Sequence, residues 1–149
     1  MEQVEINKEA KLSEHFSLGE LTKTNVKGIS NVPPHAAVLN LKNLCENWLE
    51  PLRQAQGLII INSGYRSESV NKAIGGVKGS NHLTGCAVDI RVTGLEQAIR
   101  YAAILLDIAD GSKRDYDELL IERSPKGTYW LHFAVRPKDN RKKVRFIQT

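Results

Sequence analysis

From His35 to Arg53, apolar side chains recur at helical spacing, and Val38, Leu41, Leu44, Cys45, Trp48, Leu49 and Leu52 form one core-facing stripe. Upstream, Ser17-Leu-Gly-Glu20 has the form of a capping box and predicts a short helix ending near Thr24. The loop from Lys27 closes on Pro33-Pro34, residues suited to the entry of the next helix. Gln56-Gly57 interrupts the stripe, and Leu58 to Ile61 reads as a short buried strand. A second short helix is predicted from Ser67 to Ile74, followed by a flexible Gly75–Gly79 loop. Cys86 to Val92 predicts a strand and Gly94 to Leu106 a helix. Asp117–Glu122 and Tyr129–Val135 read as a hairpin joined by Ser124-Pro-Lys-Gly127-Thr, with an edge strand at Val144–Ile147. Helices first and strands mostly later predict an α+β fold: one domain, 13–149, with a small antiparallel sheet flanked by helices, preceded by a polar arm at 1–12.

Strand alternation assigns faces. Cys86, Val88 and Ile90 share the core side, which leaves Ala87 and Asp89 on the open side. In the hairpin, Leu131 and Phe133 face the core while Trp130 and His132 face away; Leu119 and Ile121 likewise oppose Glu118, Leu120 and Glu122. A hairpin register centred on Gly127 places Glu122 across from His132.

These faces gather chemistry. His82 sits on a loop, Asp89 on a strand seven residues later, and His132 far along the chain. Two imidazoles and a carboxylate suit zinc and leave a fourth position for water. Glu122 is the candidate general base, with a cross-strand salt bridge as its structural alternative; Glu118 and Asp117 are weaker candidates. Cys86 points away by parity. Arg66, at a strand-to-helix turn, suits bidentate pairing with a carboxylate, either a ligand's or a structural one, and Ser63 and Ser80 offer hydroxyls. Trp130 and Tyr65 are groove-lining or packing residues, and His15 and His35 read as structural or surface residues.

Composition adds little beyond limits. The 149 residues suit a single core. The net charge of +4 is concentrated in Arg136–Arg145, which reads as a solvated terminal strand. No aromatic interleaving supports nucleic-acid stacking, so no nucleic-acid partner is expected. Cys45 and Cys86 read as buried free thiols. No apolar stretch is long enough to span a bilayer, and no signal peptide is visible, so membrane insertion is not expected and synthesis in the cytoplasm is.

Taken in order, Ser63-Gly-Tyr-Arg66, Ser80-x-His82-x-x-Gly85-x-Ala87-x-Asp89 and Trp130-x-His132 resemble the zinc D-alanyl-D-alanine peptidase family. Its members include D,D-carboxypeptidases, D,D-dipeptidases and phage endolysins that cleave L-alanyl-D-glutamate bonds. The segment Leu12-Ser-Glu-His-Phe-Ser-Leu-Gly-Glu-Leu21 is also similar to the start of its small single-domain members. The resemblance implies the Hedgehog/DD-peptidase α+β fold, with His82, Asp89 and His132 as ligands of Zn2+. It also implies that Arg66, with Ser80 nearby, holds a substrate carboxylate or backbone carbonyl; Ser63 and Trp130 are added to that expected substrate site from the reading of the residues above. Several relatives carry their catalytic acid three residues before the last histidine, where this chain has Tyr129. The small-domain branch places an acid on the preceding strand, in a pattern similar to Asp117-x-Leu-x-x-Glu122, which keeps Glu122 as the expected base. The implied activity is zinc-dependent hydrolysis of peptide bonds in peptidoglycan stem peptides by a monomer, as a carboxypeptidase or an endolysin-type endopeptidase. The alternative is a catalytically silent peptidoglycan-binding module of the same fold. Action at the cell wall would follow release through a phage holin, or export if a leader has been removed.

Overall fold

The stripe at 35–53 does form one continuous helical rod, but not a uniform one. In the computed structural model, which describes residues 6–149, α2 (His35–Leu44) runs through a π turn at Cys45–Leu49 into α3 (Glu50–Gln56). The wide turn coincides with Pro51, which has no N–H for the regular ladder and whose ring crowds the preceding turn. Gly57, in the left-handed region at φ 83°, ends the rod. Of the polar arm expected at 1–12, residues 1–5 lie outside the described residues. Farther along, the Lys8 and Ala10 carbonyls accept the amides of Gly19 and Leu18 in α1 (Leu18–Thr22), and Leu12 is buried. The capping box is present, with Ser17 and Glu20 bonding reciprocally.

The remaining elements are β1 (Ile61–Ser63), α4 (Glu68–Ala73), a 3-10 turn at Asn81–Thr84, β2 (Ala87–Arg91), α5 (Leu95–Ser112), β3 (Glu118–Arg123), β4 (Tyr129–Ala134) and β5 (Lys143–Gln148). The first strand starts later than its apolar run implies, because Leu58 is exposed and only Ile59 and Ile61 of that run are buried. Helix α5 continues six residues past the expected end at Leu106, with Ala109 still buried on its inner side.

The five strands lie in the order β1-β2-β4-β3-β5. The first four pair antiparallel, as expected for this α+β domain, whereas the edge strand β5 runs parallel to β3. The reason is local. Ala134 at the end of β4 and Lys143 at the start of β5 both pair with Glu118, so the intervening loop only steps past the entry of β3. One sheet face packs against the helices through Val88, Ile90, Leu119, Ile121, Leu131 and Phe133, with the Phe133 ring 5.0 Å from that of Trp48. Both cysteines are buried free thiols, and Cys45 belongs to the apolar core. The opposite sheet face carries the polar residues.

His15 is structural as expected, its Nδ1 lying 2.7 Å from Glu50 Oε1, and His35 is exposed at the start of α2.

Candidate metal centre

Two features of the local chain, Ser80 and Gly85, deliver His82. The Ser80 hydroxyl accepts the His82 amide at 3.2 Å and starts the 3-10 turn. Gly85 ends it at φ 73°, and a Cβ built there would lie 2.4 Å from the Ala37 carbonyl oxygen. Only glycine satisfies both demands. The Gly85→Ala variant is therefore expected to lose at least about 1–3 kcal/mol in urea denaturation, with weaker metal uptake as the turn shifts. The chain then enters β2, where Asp89 pairs with Ser63 on one side and with His132 on the other.

The donor atoms of His82, Asp89 and His132 all lie within 4.8 Å of one another, and all three residues are buried. Asp89 Oδ1 is 3.4 Å from His82 Nε2 and 3.1 Å from His132 Nδ1. The neighbours fix the tautomers. His82 Nδ1 lies 2.6 Å from the Gly64 carbonyl, so it must donate, and Nε2 keeps a bare lone pair. That Nε2 is buried without any hydrogen-bond partner among the described residues. His132 Nε2 lies 3.0 Å from Glu118 Oε1, so it donates as well and turns Nδ1 toward Asp89. A lone pair facing a carboxylate oxygen needs a proton or a cation between them. Two imidazole nitrogens and one carboxylate oxygen so directed fit a divalent cation.

The electrostatics agree with that geometry. Burial works against the Asp89 carboxylate, but the imidazoles beside it, with the His132 hydrogen bond, outweigh it and hold the carboxyl far below its ordinary range. Burial also works against an imidazolium at His132, yet its bonds to Asp89 and Glu118 push it up to about 9.

Arg66 supports the far side of the same carboxylate. Its Nη2 donates to Asp89 Oδ2 at 3.1 Å, its Nη1 to Asn71 Oδ1 at 3.2 Å, and its Nε to Ser63 Oγ at 3.1 Å. Ser63 and Ser80 thus both accept internal bonds, which leaves each hydroxyl proton free to donate. Cys86 stays outside the cluster, as parity demands, with its sulfur 3.9 Å from the Thr84 carbonyl.

The hairpin register corrects one expectation. Leu120, not Glu122, pairs with His132, and Glu122 pairs with Trp130. The turn closes through Ser124 and Thr128 and is centred on Lys126 rather than Gly127. Moving the centre by one residue moves every pair by two, so each side chain keeps its face. Two glutamates consequently flank His132 diagonally. Glu118 bonds His132, which lowers its pKa, while Glu122 Oε2 accepts the Trp130 indole N–H at 2.7 Å. Burial, and after it the Asp89 charge, raise the Glu122 pKa. Its Oε1 has no hydrogen-bond partner among the described residues. Sequence reasoning passed over Asn81, Asn71 and the role of Glu118. Parity already placed Glu118 on the correct face, whereas nothing in the spacing marked the two asparagines.

Together these features define a small α+β domain whose buried His82, Asp89 and His132 could hold a metal ion, with the half-buried Glu122 carboxylate nearby. A family model described as Peptidase M15 matches residues 14–111, more than half of the chain. The chain belongs to peptidase family M15, a family of metal-dependent peptidases. No curated protein matches it. The matched span contains Ser63, Arg66, Ser80, His82 and Asp89, while Glu118, Glu122, Trp130 and His132 come from the chain beyond it.

Proposed function

We propose that this protein is a zinc peptidase that hydrolyses peptide bonds in the stem peptides of peptidoglycan, acting as a monomer at the cell wall. The observation that carries the reading is the bare, buried Nε2 of His82, held beside a carboxylate oxygen and a second imidazole with its Nδ1 turned inward. His82, Asp89 and His132 would hold the ion. Zinc supplies a Lewis acid for the scissile carbonyl and lowers the pKa of a water to about 7.

Glu122 is the proposed base. Its Oε2 is anchored by Trp130, so Oε1 takes the proton of the attacking water and returns it to the leaving amine. A carboxyl with a raised pKa suits both halves of that cycle. Arg66 spends three of its five N–H groups inside the protein, and the remaining two are assigned to a substrate carbonyl or carboxylate, with the Ser63 and Ser80 hydroxyls beside them. Among the described residues no helix is long and apolar enough to cross a membrane.

Purified peptidoglycan separates this reading from a silent binding module. Soluble muropeptides are expected with zinc-loaded protein, none after chelation, and recovery on adding zinc back. Mass spectrometry of the fragments then identifies the bond. Binding to the wall without fragments would overturn the peptidase reading.

Proton uptake gives a second check. The His132 pKa is about 9 in the folded, metal-free protein, against about 6.5 for a free histidine. This interaction therefore stabilises the fold fully below about pH 6.5 and is lost as pH rises through about 9. A cation needs the same Nδ1 lone pair, so zinc affinity rises with pH over that window and binding at neutral pH releases close to one proton. Titration calorimetry in two buffers of different ionisation enthalpy measures that proton.

A further inference from the structure

The two imidazoles arrive from different parts of the chain, and one side chain joins their supports. Asn81 immediately precedes His82 in the 3-10 turn and is buried. Its Nδ2 donates to Glu118 Oε1 at 2.7 Å and to Asp117 Oδ2 at 2.8 Å, while its Oδ1 accepts from Arg136 Nε at 3.0 Å. Two carboxylate acceptors leave the amide a single orientation, and every polar position on it is used. Glu118 Oε1 is the same oxygen that accepts from His132 Nε2.

The amide is itself held. Asp117 is fully buried and accepts two bonds from the Arg141 side chain, at 2.9 and 2.8 Å, and one from the Arg141 backbone at 3.0 Å. Arg136 Nε lies 3.2 Å from Asp117 Oδ2. Both arginines belong to the segment between β4 and β5, beyond the span that the family match covers. Arg141 Nη2 also stands 3.7 Å from Glu118 Oε2, ready to draw that carboxylate away if the amide lets go.

We propose that Asn81 is a positioning residue for the metal centre: anchored by Asp117 and Arg136, it holds Glu118 against His132 and so braces the two imidazoles at a fixed separation. The inference rests on the metal-site reading above and adds residues to it. The chemistry needs little more than geometry. An imidazole ring turns about its χ angles, and a metal site tolerates little error in the direction of a lone pair. Without the Asn81 amide, Glu118 is free to pair with Arg141, and His132 Nε2 loses the acceptor that keeps Nδ1 facing inward.

The test measures zinc affinity by competition with a chromophoric chelator, alongside the ligand-field spectrum of the cobalt-loaded protein. Asn81→Leu is expected to weaken zinc binding about 10–100-fold and to shift the cobalt spectrum. Glu118→Ala should do the same, and the double variant should lose no more than the larger single, because both cut one brace. Asn81→Ser, with a shorter side chain that cannot reach Glu118, repeats the measurement if the leucine variant fails to fold. Asn40→Ala is the control. It removes another bond to the same turn, from Asn40 Nδ2 to the Thr84 carbonyl at 2.9 Å, and should change zinc affinity less than about twofold. Equal losses in Asn40→Ala and Asn81→Leu, or additive losses in the double variant, would overturn the brace. So would unchanged zinc affinity in Asn81→Leu or Asn81→Ser. Wild-type protein that takes up no zinc would instead overturn the metal-site reading beneath it.

Discussion

Replacing Glu122 by glutamine is expected to lower the turnover number for wall peptides by about 10²–10⁴-fold while leaving zinc affinity within about twofold. The two halves of that outcome have separate causes. Glu122 makes its one hydrogen bond to Trp130 and none to His82, Asp89 or His132, so the proposed metal donors keep their partners when it changes. The amide oxygen of glutamine still accepts the indole N–H, which preserves the wall of the site. What disappears is a group that can hold a proton at Oε1. The fall should be in the turnover number with little change in KM, as for an interaction made only as the bond breaks. A loss in KM alone would recast Glu122 as a binding residue. An equal fall for Glu118→Gln with zinc held saturating would move the base to the other diagonal glutamate.

Those paired glutamates also show what could be read from the chain. Strand parity required only that apolar residues face the core, and it placed Asp89, His132, Glu118 and Glu122 on one face correctly. Register needed the centre of a five-residue turn, which is set by the Ser124–Thr128 closure and the left-handed Gly127 rather than by apolar periodicity. An error there preserves the face and changes the neighbour. The same distinction governs Arg66. Its charge and its place at a turn were visible, but its bond to Asp89 depends on β1 lying beside β2, a long-range pairing. Asn81 was the least legible of all. A neutral amide between Ser80 and His82 carries no signal until tertiary structure supplies two carboxylates and an arginine around it. The parallel edge strand escaped for a related reason, since direction in β5 is decided by where the preceding loop comes to rest.

The Asp89→Asn variant is expected to lose zinc affinity by more than the about 100-fold that loss of a supporting contact outside the donor set costs. It should also move the alkaline loss of stability to lower pH. The carboxylate does three things at once: it offers Oδ1 between the two imidazoles, anchors Arg66 through Oδ2, and keeps His132 protonated in the metal-free fold. A neutral amide of the same size divides these roles. If its oxygen turns to Arg66, its NH2 faces His132 Nδ1 and donates to the lone pair that the metal requires. If it turns the other way, Arg66 loses its anionic partner inside a half-buried site, at a cost of about 1–3 kcal/mol. In either orientation His132 keeps Glu118 but loses Asp89, so its pKa falls back toward the ordinary histidine range. The stabilisation from its charged form is then smaller and ends at a lower pH. Thermal melts of metal-free protein across pH 6 to 10, beside zinc competition at one pH, measure both effects. An unchanged pH profile would mean that Asp89 does not set the charge of His132, and unchanged zinc affinity would remove Asp89 from the donor set.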